Sequence, residues 1–129
     1  MSSALQLDVL VAGDQATVSI TGEIDISTAK DVREKLVSLI SQGVRHLVID
    51  LEGTSYMDAA GVDVLVRALK LVSALGGTFS VACPHEHLLK VFEVSELSDA
   101  FHIYSSLEEA TAAPGRSRSG AVGGYDSGR

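Results

Sequence analysis

A chain of 129 residues with 17 acidic and 10 basic side chains has a formal net charge of −7. Its length suits one domain of the usual ~100–150 residues, and its 46% apolar content excludes wholesale disorder. The acidity argues against nucleic-acid phosphate as the main partner, and the single Cys83 excludes an internal disulfide or a multi-cysteine zinc site. No run approaches the ~20 apolar residues of a membrane span. Met1 to Leu10 lacks the basic-then-apolar pattern of a secretory signal, so a cytoplasmic protein is expected.

The charge is unevenly divided. Residues 1–113 carry −9, while residues 114–129 carry +2 through Arg116, Arg118 and Arg129 against Asp126. Five of the 12 glycines also fall in that last segment. With few apolar side chains to offset the cost of ordering, 114–129 reads as a flexible tail behind a domain of residues 1–113.

Leu5 to Val11 and Ala16 to Ile20 show β-branched, partly alternating patterns around Gly13-Asp14, a hairpin signal. Ser27 or Thr28 can cap a helix with apolar positions Ala29, Val32, Leu36, Leu39 and Ile40, closed by Gly43. Leu47 to Leu51 then reads as a central strand covered on both faces. A second helix is predicted from about Ala59 to Leu75, with two adjacent apolar stripes and only a narrow polar strip. So wide an arc implies burial against the sheet or a partner surface, and burial is the expectation. Thr78 to Ala82 forms the next strand and His85 to Val94 a third helix. Phe101 to Tyr104 is a short strand, and Ser106 can cap a last helix carrying Leu107 and Ala110. The order predicts an α/β sandwich: an antiparallel hairpin, then parallel strands joined by right-handed crossovers.

Candidates for chemistry are few. His85 and His87 have an i, i+2 spacing, which on a helix points the rings to different faces and disfavours a shared metal. Cys83 ends an apolar strand before Pro84 and shows no base beside it, so it reads as a buried thiol. No nucleophile elbow, dinucleotide fingerprint or P-loop is present. What stands out is a pair of acidic loops, Thr21 to Ala29 and Asp50 to Val62, each between a strand and a helix. Open α/β sheets form their binding crevices on that side. Asp58 is placed to cap the second helix and meets the positive end of its dipole.

Gly22-Glu-Ile-Asp25 with Thr28-Ala29, then Asp50-Leu-Glu-Gly-Thr-Ser55-Tyr-Met-Asp58 and Gly61, resembles the anti-sigma factor antagonists of the STAS domain family. The likeness spans roughly residues 5–111. It implies a STAS-like mixed β-sheet of four to five strands flanked by about four helices, with no catalytic activity and no cofactor. It implies as partner an anti-sigma factor that is itself a serine kinase of the GHKL type. Binding would free a sigma factor, and phosphorylation of the serine after the motif aspartate would reverse the binding. The resemblance and the loop chemistry together put the partner-binding residues at Glu23, Asp25, Ser27, Thr28, Asp58, Ala59, Ala60 and Gly61. Direct nucleic-acid or membrane contact is not expected, and a monomer or weak dimer is.

One departure matters. The family's phosphoserine position holds Ala59, and the next, commonly hydroxylated position holds Ala60, so neither can accept phosphate. A phosphoserine there would add about −1.5 to −2 charge beside Asp58. Three readings remain open: a constitutive antagonist, regulation at another site such as Thr54 or Ser55, or an engineered non-phosphorylatable form. The alternative role is a STAS subunit of a transport complex or signalling scaffold, using the apolar arc of the second helix. An enzyme ranks last.

Overall fold

The computed structural model describes residues 5–93 and 101–112. The boundary expected at residue 113 and the tail behind it lie outside those residues. Two antiparallel strands open the fold, β1 (Gln6–Ala12) and β2 (Gln15–Ile24), with Gly13 at φ 64° making the tight turn. Then follow α1 (Ala29–Ser41), β3 (His46–Asp50), β4 (Thr54–Met57), α2 (Ala59–Ala74), β5 (Thr78–Ala82), α3 (Glu86–Glu93), β6 (His102–Tyr104) and α4 (Leu107–Ala112).

The main sheet has the order β1-β2-β3-β5-β6, antiparallel at β1–β2 and parallel elsewhere. This is the mixed α/β architecture expected of a STAS domain, with one strand more than the reading of four to five. The extra strand is β4, taken for loop in the sequence, which pairs in parallel with the far end of β2. Its pattern, buried only at Thr54 and Met57, carries no alternation to betray a strand. β2 is correspondingly longer than expected and runs through Thr21–Ile24, because Ile24 and Met57 both enter the core.

Strand alternation sorts the sheet into two faces. Val18, Ile20, Leu47, Ile49, Phe79 and Val81 face the main core with α1, α2 and α3. The α1 residues buried there are Ala29, Val32, Leu36, Leu39 and Ile40, the stripe expected from their spacing. On the other face α4 covers Val48 and Ala82 through Ala110, so β3 is sealed on both sides. Ser106 caps α4 by accepting from the Glu109 N–H at 3.1 Å. Most of the wide arc of α2 is buried, leaving Leu71 and Leu75 exposed. Asp50, expected both in the strand Leu47 to Leu51 and at the start of the second acidic loop, ends β3 and is buried. Its carboxylate accepts from Ser19 Oγ and from the Glu52 N–H, each at 3.0 Å, and so ties β2 to β3.

Candidate functional site

The two acidic segments meet at the C-terminal end of β2. Register places Glu23 opposite Tyr56 and Ile24 opposite Met57, past an irregularity between Gly22 and Glu23. The Asp58 N–H then donates to the Ile24 carbonyl at 3.2 Å, so Asp25 and Asp58 begin adjacent connections.

Asp58 caps α2 from an extended backbone, its Oδ1 accepting from Ala60 N–H at 2.9 Å and Gly61 N–H at 3.4 Å. These are donors that a helix start otherwise leaves unpaired. Ala59 lies exposed on the first turn and Ala60 half-buried beside it. Gly61 is pressed onto the core: a Cβ there would stand 2.6 Å from Met57 Cγ and 2.8 Å from Ile24 Cγ2. The missing side chain thus lets α2 settle on the β2–β4 pair.

The first connection is held differently. Asp25 Oδ1 accepts from Ser27 Oγ at 2.7 Å, Ser27 N–H at 2.9 Å and Thr28 N–H at 3.2 Å. The Ser27 hydroxyl and its N–H hold the Asp25 carboxyl below the usual carboxylate range, against a small opposing effect of desolvation. Thr28 occupies the N-cap position of α1, but its hydroxyl makes no cap. Buried, it turns back to donate to the Glu23 carbonyl at 2.8 Å and to accept the Asp25 N–H at 2.9 Å. Ser27 and Thr28 are therefore loop fasteners. Neither side chain caps α1, because the Ser27 hydroxyl is engaged by Asp25 and the Thr28 hydroxyl by Glu23 and the Asp25 N–H.

Glu23 and Ser27 are exposed, Asp25 and Asp58 partly so, and among the described residues neither aspartate forms an ion pair. The outward surface is thus acidic and rich in acceptors. Two residues that the sequence reading passed over belong to it: Ile26, 84% exposed, and Tyr56, 47% exposed. The available signal for Ile26 was an isolated large apolar side chain between Asp25 and Ser27, outside any apolar period.

The histidine geometry overturns one expectation. The His85 and His87 rings lie 5.6 Å apart, since His85 precedes α3 and helical spacing does not govern it. Each Nε2 reaches a carbonyl oxygen of the β3–β4 segment, His85 to Glu52 at 2.7 Å and His87 to Ser55 at 3.2 Å. A carbonyl only accepts, so both Nε2 atoms carry their proton and serve as donors. Among the described residues no group of three or more His, Cys, Asp or Glu is arranged to hold a metal ion. Cys83 is buried, with desolvation raising its thiol pKa. No helix among the described residues is long and apolar enough to cross a membrane.

A two-faced mixed sheet with paired strand-to-helix connections at one end defines a class of small α/β domain. The STAS domain model matches residues 6–110, and the chain belongs to that family. It is 36% identical over 104 residues to the anti-sigma-B factor antagonist of Bacillus subtilis (strain 168), covering 81% of this chain and 94% of that protein. It is 28% identical over 91 residues to the anti-sigma-B factor antagonist of Staphylococcus aureus (strain NCTC 8325 / PS 47), covering 70% and 84%. Its fold matches the crystal structure of an anti-sigma factor antagonist from Mycobacterium paratuberculosis with a TM-score of 0.74. That match has 22% identity and covers 85% of this chain and 93% of the other.

Proposed function

We propose that the protein is an anti-sigma factor antagonist that docks a kinase-type anti-sigma factor through the β2–α1 and β4–α2 connections and so frees a sigma factor. The observation that carries this reading is the junction where the Asp58 N–H meets the Ile24 carbonyl. It brings the Glu23–Thr28 segment beside the start of α2, with Glu23, Ser27 and Ala59 exposed, Asp25, Asp58 and Ala60 half-buried, and Thr28 and Gly61 buried beneath them. An acceptor-rich surface with Ile26 standing out of it suits a partner that offers basic or N–H donors around an apolar socket. The names of the curated relatives support the same role.

Ala59 stands on the exposed first turn of α2, where a phosphoserine would place its charge next to the capping carboxylate of Asp58. With alanine the surface stays uncharged there, and no phosphate at position 59 can switch binding off. Of the two nearby hydroxyls weighed as substitutes, Thr54 is buried and donates to the Ile20 carbonyl at 2.7 Å, which removes it from reach of a kinase.

The test is binding of the purified chain and of Ala59→Ser to a panel of kinase-type anti-sigma factors, followed by ATP and intact mass. The wild type is expected to bind, and Ala59→Ser to bind and gain one phosphate more than the wild type. Failure of both proteins to bind any member would sink the proposal. The rival role as a transport-complex or scaffold subunit has only Leu71 and Leu75 exposed on the arc of α2 to support it.

A further inference from the structure

We infer that Ser27 is a phosphoacceptor on this surface, modified by a protein kinase that uses a nucleoside triphosphate, and that its phosphorylation unfastens the β2–α1 connection. The inference rests on the antagonist reading for its consequence, though the modification itself stands apart from it.

Four serine and threonine hydroxyls lie on the two connections and β4. Thr28 and Thr54 are buried, each donating to a backbone carbonyl. Ser55 is exposed, yet its neighbours Thr54 and Tyr56 pair with β2, its Oγ donates to the Gly22 carbonyl at 3.3 Å, and its own carbonyl accepts from His87 Nε2. A residue held between paired neighbours is badly placed to be drawn into a kinase cleft. Ser27 is fastened to Asp25 within its own turn and not to a second strand. It is exposed, lies outside any helix or strand, and follows Ile26, an 84% exposed apolar side chain that a cleft can grip. Its Oγ already points its proton at a carboxylate, Asp25 Oδ1, 2.7 Å away.

The chemistry balances simply. Ser27 Oγ forms a bond to the γ-phosphorus as the bond from that phosphorus to the β,γ-bridging oxygen breaks, and nucleoside diphosphate leaves. The hydroxyl proton passes by way of Asp25 to water. In such a loose transition state positioning of the acceptor counts for more than a strong base, which suits a carboxylate of low proton affinity.

The product cannot keep the loop as it was. The Oγ–H donor is gone, and about −1.5 to −2 charge stands where that donor met Asp25 Oδ1. Repulsion between the ester and the carboxylate opposes the two N–H bonds that remain, from Ser27 and Thr28. The structure therefore holds, one connection away from Ala59, a second place where a phosphate would displace a surface aspartate.

Two measurements on the full chain test this. Phosphopeptide mapping of the protein recovered from its own cells, in growth and in stress, is expected to find one phosphate on Ser27 and none in Ser27→Ala. Phosphate found on Ser55 instead, or on neither, overturns the assignment. The chain carrying phosphoserine at 27 is expected to bind its anti-sigma factor at least roughly ten-fold more weakly than the unmodified chain, and equal affinity overturns the unfastening. The two readings fail separately. Phosphate on Ser27 in a chain that binds no anti-sigma factor removes the antagonist role alone, whereas binding without any phosphate on Ser27 removes the acceptor alone.

Discussion

The two connections at the head of the domain are built around aspartates that do opposite kinds of work. Asp58 pairs with backbone N–H groups, and the helix start it caps is clamped to the core by the close approach at Gly61. Asp25 pairs with a serine hydroxyl and two N–H groups in an exposed loop, and Ile26 at its tip touches solvent. One connection is anchored from beneath, and the other is laced across its surface. A surface made this way has a fixed half, set by the core, and an adjustable half, held by hydrogen bonds within its own turn.

The sharpest way to break that contrast is to force the fixed half apart. Gly61→Val puts branched carbon where Met57 and Ile24 already stand, and overpacking of this kind costs about 1–3 kcal/mol. Urea unfolding should show it as a lower midpoint with unchanged slope. Next comes Asp58→Ala, which removes a helix cap worth about 0.5–2 kcal/mol. Asp58→Asn should recover most of that loss in the same assay, since asparagine also caps. Thr54→Val leaves the Ile20 carbonyl without its buried hydroxyl donor and should cost about 1 kcal/mol.

The adjustable half responds to pH. The folded-state pKa of Asp25 lies below its ordinary 3.8, so its contribution is fully present above 3.8 and is lost as pH falls through the lower folded value. Hydrogen exchange at the Ser27 amide should quicken in that acid window in the wild type. In Asp25→Ala the Ser27 amide should exchange fast throughout while Thr28 keeps its bond to the residue-25 carbonyl, with the unfolding midpoint shifting less than in Gly61→Val.

Much of this was legible in the chain. The spacing Ala29, Val32, Leu36, Leu39 and Ile40 marked the buried stripe of α1 residue for residue, because a helix packed on a sheet has one period to obey. Asp58 could be placed at a cap since an aspartate ahead of a long apolar-striped helix has one favourable use. The misses have a common origin in contacts made far along the chain. β4 is a strand because β2 is beside it, and four residues with a buried–exposed–exposed–buried pattern carry no period of their own. His85 and His87 came together because α3 begins one residue after His85 and Glu52 and Ser55 offer carbonyls to both. Thr28 abandoned its capping role because Glu23, five residues earlier, lay within its reach. The exposed Ile26 had no pattern to declare it, only its neighbours' polarity.

The division of labour along β2 also bears on how such a domain can diversify. Its residues 15–19 are hydrogen-bonded on both sides, by β1 and β3, whereas residues 22–24 run beyond β3 and pair with β4. In that extension Ile24 and Met57 point inward and hold the core, while Glu23 and Tyr56 point out. Inward positions are answerable to folding and outward ones are free of the core, on alternate residues of the same short ladder. Duplicated copies of such a gene could therefore change allegiance from one regulator to another by substitution at the outward set, with little need to repack the interior.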